Sequence, residues 1–400
     1  MQDKKQFIID IIKNTIAFGI YMVAFHVFMM PFLAAKLDPE INAQFILYVM
    51  ISNIVTLSIG NELGILFQIL TGREIGEKTL PDIRYILNYV SIILGLLMFL
   101  ILIILRFSIV ASLILALTTV LTNFRLFLLG YLRLRMSYKV IIIGNFLYLT
   151  SIALSIIFLN YVSLIFWMPI LLAEVVSILF YRYSVNDFFK IRAKRSKDFH
   201  VVLREFFELL SSTLLTNIPN YADKILVLPL LGDVMMAAYY AGSVVSNLLF
   251  IIVNPINGVI LAWLSKDSNV NEAKTIINNH IKVNIIIIVI VFCLNFPSIY
   301  LMSLVFYKQY IHIVIRILVP LSLNATFSIS ASLLKMVYLR YLQLNKIKYF
   351  NLINLTSFIV FSAFGSKLFG VVGFAYGASL SKVILWCLYL FSLLKANNIN

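Results

Sequence analysis

The chain has 400 residues, of which 62% are hydrophobic and 12% charged. So little polar surface cannot cover a water-soluble globule of this length, so the solvent is lipid. A net charge of +15 would suggest nucleic acid in a soluble protein, but in a membrane protein it is the excess expected of cytoplasmic loops, so no nucleic-acid partner is expected.

A spanning helix takes roughly 20 mostly apolar residues, which leaves room for about twelve and none for a soluble domain. Met1 to Lys13 is short and charged. The apolar stretch behind it is too long for a signal-peptide core and has no small-residue cleavage site, so it is kept as the first span. Apolar runs and their punctuation then predict spans near 14–35, 42–70, 84–106, 108–130, 140–159, 161–181, 206–230, 234–262, 283–305, 311–334, 349–368 and 371–394. With the N-terminus cytoplasmic, the inside segments hold 24 of the 32 Lys and Arg, and the outside loops hold only Lys36, Arg106, Lys308 and Lys367. That asymmetry is what the positive-inside bias requires, and it places both termini of a bacterial inner-membrane protein in the cytoplasm.

Residues 182–205 divide the chain into an N-terminal six-helix bundle, 1–181, and a C-terminal one, 206–400. The segment carries Arg182, Lys190, Arg192, Lys194, Arg195, Lys197 and Arg204. This basic linker is suited to anionic lipid headgroups, but retention on the cytoplasmic side accounts for it as well and is the favoured reading. Phe199 to Leu210 has an amphipathic pattern and is expected to lie along the interface before the seventh span enters.

The halves resemble each other where their first spans end. Met30-Pro31-Phe32-Leu33 parallels Leu228-Pro229-Leu230-Leu231, and Ile51-Ser52-Asn53 parallels Val245-Ser246-Asn247. The register sets Gly64 against Gly258 and His26 against Lys224. Parallel six-helix repeats build alternating-access transporters.

Polar groups are expensive in lipid, so their placement shows which faces avoid it. The seventh span carries Thr213, Thr216, Asn217, Asn220, Asp223 and Lys224 along one face. The eighth carries Ser243, Asn247, Asn254 and Asn257, and Pro219 and Pro255 interrupt the two helices. Spans three, five and nine lack ionisable residues in their middles and read as lipid-facing. The ionisable residues within spans are Glu62, Arg125, Glu174, Asp223, Lys224, Arg316 and Lys382. Arg125 and Arg316 lie near span ends, where they line a cavity or snorkel. Asp223 and Lys224 are adjacent, point about 100° apart, and are expected not to pair with each other. Lys382 shares a face with Ala375, Ala378 and Ser379, and is expected to meet a central cavity or a buried carboxylate such as Glu174. His26, beside Phe25 and Phe28, reads as packing.

Gly72-Arg73-Glu74-Ile75-Gly76-Glu77-Lys78-Thr79 fails the phosphate-loop pattern on spacing and context. His26, His200, His280 and His312 are scattered, no Cys or carboxylate cluster has metal spacing, and no hydrolytic triad is visible. No cofactor, metal or enzymatic activity is expected.

Asn220-Tyr221-Ala222-Asp223-Lys224-Ile225-Leu226-Val227, then Leu231-Gly232-Asp233 and Tyr239-Tyr240-Ala241-Gly242, resembles the polysaccharide-exporter branch of the multidrug/oligosaccharidyl-lipid/polysaccharide superfamily. Leu57-Ser58-Ile59-Gly60-Asn61-Glu62-Leu63-Gly64 is similar to that family's glycine-containing segment before its first long cytoplasmic loop. Twelve spans and a basic mid-chain loop point within it to Wzx-type flippases of O-antigen (lipopolysaccharide) or capsule repeat units. The resemblance implies an all-α polytopic fold, two MATE-like six-helix bundles around a central cavity, and a lipid-linked oligosaccharide on undecaprenyl diphosphate as cargo. It also implies membrane lipids, a polysaccharide polymerase and a chain-length regulator as partners. Lys224, Lys382, Arg316 and Arg125 are then expected on the diphosphate and Asn217, Asn220, Asn247, Asn254 and Asn257 near the glycan. Glu62, Glu174 and Asp223 are the candidates for ion coupling. A drug or cation antiporter of the same fold would favour acidic cavity residues. A membrane polysaccharide polymerase or ligase would carry a sizeable periplasmic loop.

Overall fold

The computed structural model describes residues 2–72, 76–159, 166–266, 273–341 and 345–399, and every extended element in them is helical. Long apolar runs leave the backbone no water to bond with, so each segment closes its own hydrogen bonds as a helix. The first, α1, runs Gln2–Met22, widens into a π-helical stretch at Val23–Met29 and resumes over Met30–Lys36. The second, α2, repeats the device: Pro39–Thr56, a π stretch at Leu57–Asn61, then Glu62–Gly72. Next come α3 (Gly76–Ile104), α4 (Ile109–Leu134), α5 (Tyr138–Leu159) and α6 (Met168–Ser184). A one-turn helix at Asn186–Lys190 precedes α7 (Phe199–Leu231), α8 (Asp233–Lys266), α9 (Ala273–Phe306) and α10 (Ile311–Tyr341). The final segment, Asn345–Ile399, is divided at Phe369 and Gly370 into α11 (345–368) and α12 (371–399).

These twelve rods match the predicted spans in order. Eight described segments are long and apolar enough to cross a membrane by length and composition, and Asn345–Ile399 supplies two rods where that count has one. Two expectations are corrected. No separate interfacial helix covers Phe199 to Leu210, because nothing in that stretch breaks the helix and α7 runs unbroken from Phe199. The sixth helix begins at Met168, behind a turn at Phe166 and Trp167 and with Pro169 in its first turn. The stretch 160–165, where its start was predicted, lies outside the described residues.

The chain forms two compact units, residues 1–37 with 47–218, and 38–46 with 219–400. The division falls within α7, between Ile218 and Pro219. In the first unit Asn145 Nδ2 donates to the Ala17 carbonyl at 2.7 Å, tying α5 to α1. In the second, Asn284 Oδ1 accepts from Ser330 Oγ at 2.5 Å and Trp386 Nε1 at 2.9 Å, tying α9, α10 and α12. Helices α3, α5 and α9 expose apolar faces, among them Ile92, Leu96, Leu100, Phe146, Leu154, Val289 and Leu301, as spans without mid-membrane charge should.

The segment 186–199 is held to the first unit. Phe188 is buried against Phe127 and Tyr131, with ring centroids at 5.1 and 5.5 Å. Asp82, fully buried near the start of α3, accepts from the Ser196 backbone N–H and hydroxyl, both at 2.6 Å. Arg84 donates to the carbonyls of Phe188 at 3.0 Å, Phe189 at 2.9 Å, and Ile191. Arg195 stacks over Tyr85 and Phe199.

Candidate functional site

In the first unit, small residues let α2 approach α4 closely, as in membrane helix pairs generally. A Cβ on Gly60 would sit 2.3 Å from the Asn123 carbonyl oxygen, and one on Gly130 would sit 2.7 Å from the Gly64 Cα. Asn123 Nδ2 donates to Ser91 Oγ at 2.7 Å, bringing in α3, and Gln68 Nε2 donates to the Gly130 carbonyl at 2.9 Å. The π stretch at Leu57–Asn61 lies in this contact, and such widened turns often mark functional positions. Glu62 follows it directly. Its side chain is buried and accepts from Asn61 Nδ2 at 3.4 Å.

Arg125 and Glu174 meet each other. Arg125 Nε and an NH2 donate to the two carboxylate oxygens at 2.8 and 3.1 Å, and both side chains are 1% exposed. Thr122, one turn before Arg125, donates to the same carboxylate at 2.9 Å. The guanidinium lies 4.5 Å from the Tyr21 ring centre and 5.1 Å from that of Tyr148. Of the two fates left open for Arg125, the structure shows neither: it does not snorkel, and its charge is matched within the bundle by a bidentate carboxylate and two ring faces.

The second unit gathers the remaining interior charges. Lys224 Nζ is 3.0 Å from each carboxylate oxygen of Asp223, which corrects the expectation that neighbours in sequence cannot pair. The roughly 100° between the two Cβ directions is bridged by the flexible four-carbon stem of lysine. Tyr239 on α8, fully buried, donates to Asp223 Oδ2 at 3.3 Å and sets its ring edge-on to Phe374 of α12. Ala375, Ala378 and Ser379 bury the same face of α12, and one turn on, Lys382 lies within electrostatic reach of Asp223 and Lys224. The carboxylate near Lys382 is therefore Asp223, and Glu174 is engaged by Arg125. Among the described residues Lys382 makes no ion pair of its own, so the region holds two basic side chains for one carboxylate, which Lys224 already engages.

Arg316 is exposed on the second turn of α10 beside exposed Ile315 and Val319. His26 is buried with its ring edge-on to Phe25 at 5.3 Å. Asn217 and Asn220 lie on α7, and Asn247, Asn254 and Asn257 on α8; their side chains fall outside the described set. Sequence reasoning missed Tyr21, Tyr148 and Thr122, and quoted Tyr239 only within the motif Tyr239-Tyr240-Ala241-Gly242 without giving it a role. For the first three, the three-residue step from Thr122 to Arg125 was the only local signal.

No protein-family model and no curated protein matches the sequence. Solved structures do match. A structure titled lipid II flippase MurJ in an inward closed conformation is similar over 96% of this chain and 89% of its own, with a TM-score of 0.73 at 16% identity. An inward-facing MATE family multidrug transporter of the MOP superfamily is similar over 96% and 99%, with a TM-score of 0.67 at 14% identity. An outward-facing structure of that description is similar over 98% and 97%, with a TM-score of 0.63 at 13% identity. At these identities the likeness establishes the fold: an all-α, two-lobed, polytopic membrane architecture.

Proposed function

We propose that this chain is a flippase of the polysaccharide-exporter branch of the MOP superfamily. It carries an undecaprenyl-diphosphate-linked oligosaccharide, an O-antigen or capsule repeat unit, across the bacterial inner membrane by alternating access, with both termini in the cytoplasm. The observation that carries the reading is the cationic surplus of Lys224 and Lys382 over Asp223 inside the second unit. A desolvated ammonium favours an anion, and a diphosphate offers several oxygens to two of them. The fold shared with a lipid II flippase supports a lipid-linked cargo. The existence of inward- and outward-facing structures of that fold supports alternating access. Lys224 and Lys382 are the diphosphate contacts of this proposal. The asparagines of α7 and α8 are assigned to the glycan, and Glu62, which makes no ion pair among the described residues, is assigned to ion coupling.

The test is a reconstituted flipping assay. Proteoliposomes holding an undecaprenyl-diphosphate oligosaccharide with a fluorescent sugar are treated with a membrane-impermeant quencher, and protein-dependent loss of the protected half is the expected result. The same vesicles are offered ethidium. Cation uptake without movement of the glycolipid would overturn the proposal in favour of an antiporter.

A further inference from the structure

The segment 182–205 carries seven Lys and Arg against three Asp and Glu. Retention of a loop on one side of the membrane needs only the number of such charges, counted over a loop of any conformation. Here the segment is fixed as well. Phe188 is 1% exposed, Asp82 spends both carboxylate oxygens on Ser196, and Arg84 holds the carbonyls of Phe188, Phe189 and Ile191. Ordering a chain segment costs entropy, so these anchors maintain a defined surface that the retention reading does not call for.

That surface has a consistent chemistry. The anchors face inward, while Lys190, Arg192, Lys194 and Lys197 are all exposed and make no ion pair among the described residues. Apolar groups flank them. Tyr183, beside Arg182 at the end of α6, is 87% exposed, and Val201 and Phe207 are exposed on the first turns of α7. Ammonium and guanidinium groups beside two aromatic side chains and a valine match the two layers of a membrane interface, phosphate outside and acyl chain beneath.

We infer that this strap is a docking surface for the anionic phospholipid headgroups of the leaflet next to it. Lys190, Arg192, Lys194 and Lys197 meet the phosphates, and Tyr183, Val201 and Phe207 enter the headgroup boundary. Because the strap is pinned to the starts of α3 and α7, lipid bound there is held against the rim of the first unit.

The full-length protein in detergent is titrated with dioleoylphosphatidylglycerol or dioleoylphosphatidylcholine, and bound lipid is counted by native mass spectrometry. The variant K190Q/R192Q/K194Q/K197Q keeps every anchor and is expected to lose phosphatidylglycerol affinity by about tenfold, with phosphatidylcholine unchanged. A second variant, D82N/S196A, keeps all the basic side chains but loosens the strap, and is expected to lose part of the same selectivity. Unchanged phosphatidylglycerol binding in the first variant, or equal losses for both lipids, would overturn the inference. Full selectivity in the second would overturn the role of the pinned geometry. Neither readout depends on the transported cargo.

Discussion

In the first unit Arg125 and Glu174 lie side by side, two N–H groups on two oxygens, with Thr122 on the carboxylate and tyrosine rings over the guanidinium. In the second, Lys224 engages Asp223, and Lys382 stands half-buried within electrostatic reach of both without an ion pair among the described residues. Similar residue types thus serve opposite ends. A matched pair leaves nothing for a ligand and binds helices together, whereas an unmatched cation stores an attraction that only an incoming anion can satisfy. Interior charge in a membrane protein is informative only once its partners have been counted.

The comparison can be broken most directly at the matched pair. Glu174→Gln or Arg125→Met should each destabilise the protein by about 3–5 kcal/mol, because each strands a buried charge. Removing both in R125M/E174M should recover most of that loss in a thermal melt in detergent. A double variant no more stable than the singles would show that the pair does more than balance charge. At the second cluster, Lys224→Ala and Lys382→Ala should lower flipping of the diphosphate-linked glycolipid by roughly 10- to 100-fold, the weight of one charge-assisted contact, with the melting point nearly unchanged for Lys382→Ala and lowered for Lys224→Ala, which leaves Asp223 without its ion-pair partner. Normal surface polysaccharide in cells carrying either variant would remove the cluster from the path. Gly60→Ala tests the close contact of α2 and α4: a methyl 2.3 Å from the Asn123 carbonyl should cost about 1–3 kcal/mol, read as a lower melting point. The smallest effect is expected from Tyr239→Phe. It removes one hydroxyl from Asp223, worth about 0.5–1.5 kcal/mol, and should change flipping by severalfold at most.

The order of the helices was legible because basic and non-basic loops alternate and each apolar run is closed by turn residues. The small-residue face of Ala375, Ala378 and Ser379 was legible for the same local reason, a helical period read along one segment. The partners of the charges were not. Arg125 and Glu174 are 49 residues apart, and no spacing within either helix announces the other. Asp82 and Ser196 are separated by 114 residues, so a basic stretch that reads as an open linker is in fact fastened at both its middle and its end. The pairing of Asp223 with Lys224 was misread for a different reason: helical geometry fixes where a side chain leaves the backbone, and a long flexible stem decides where its charge arrives.

The reversal at Phe369 and Gly370 joins the last two helices with almost no chain to spare. Gly370 takes a positive φ of 58°, and beyond it the backbones run so close that a Cβ on Gly365 would sit 2.3 Å from the Gly373 carbonyl oxygen. A connection this short has no hydrophilic tether that could cross the bilayer ahead of the second helix, and its only charge is Lys367. The two helices therefore meet along a seam at Gly365, Gly373 and Gly377 that leaves no room for a Cβ, so a side chain at any of the three would force the pair apart beside its own turn.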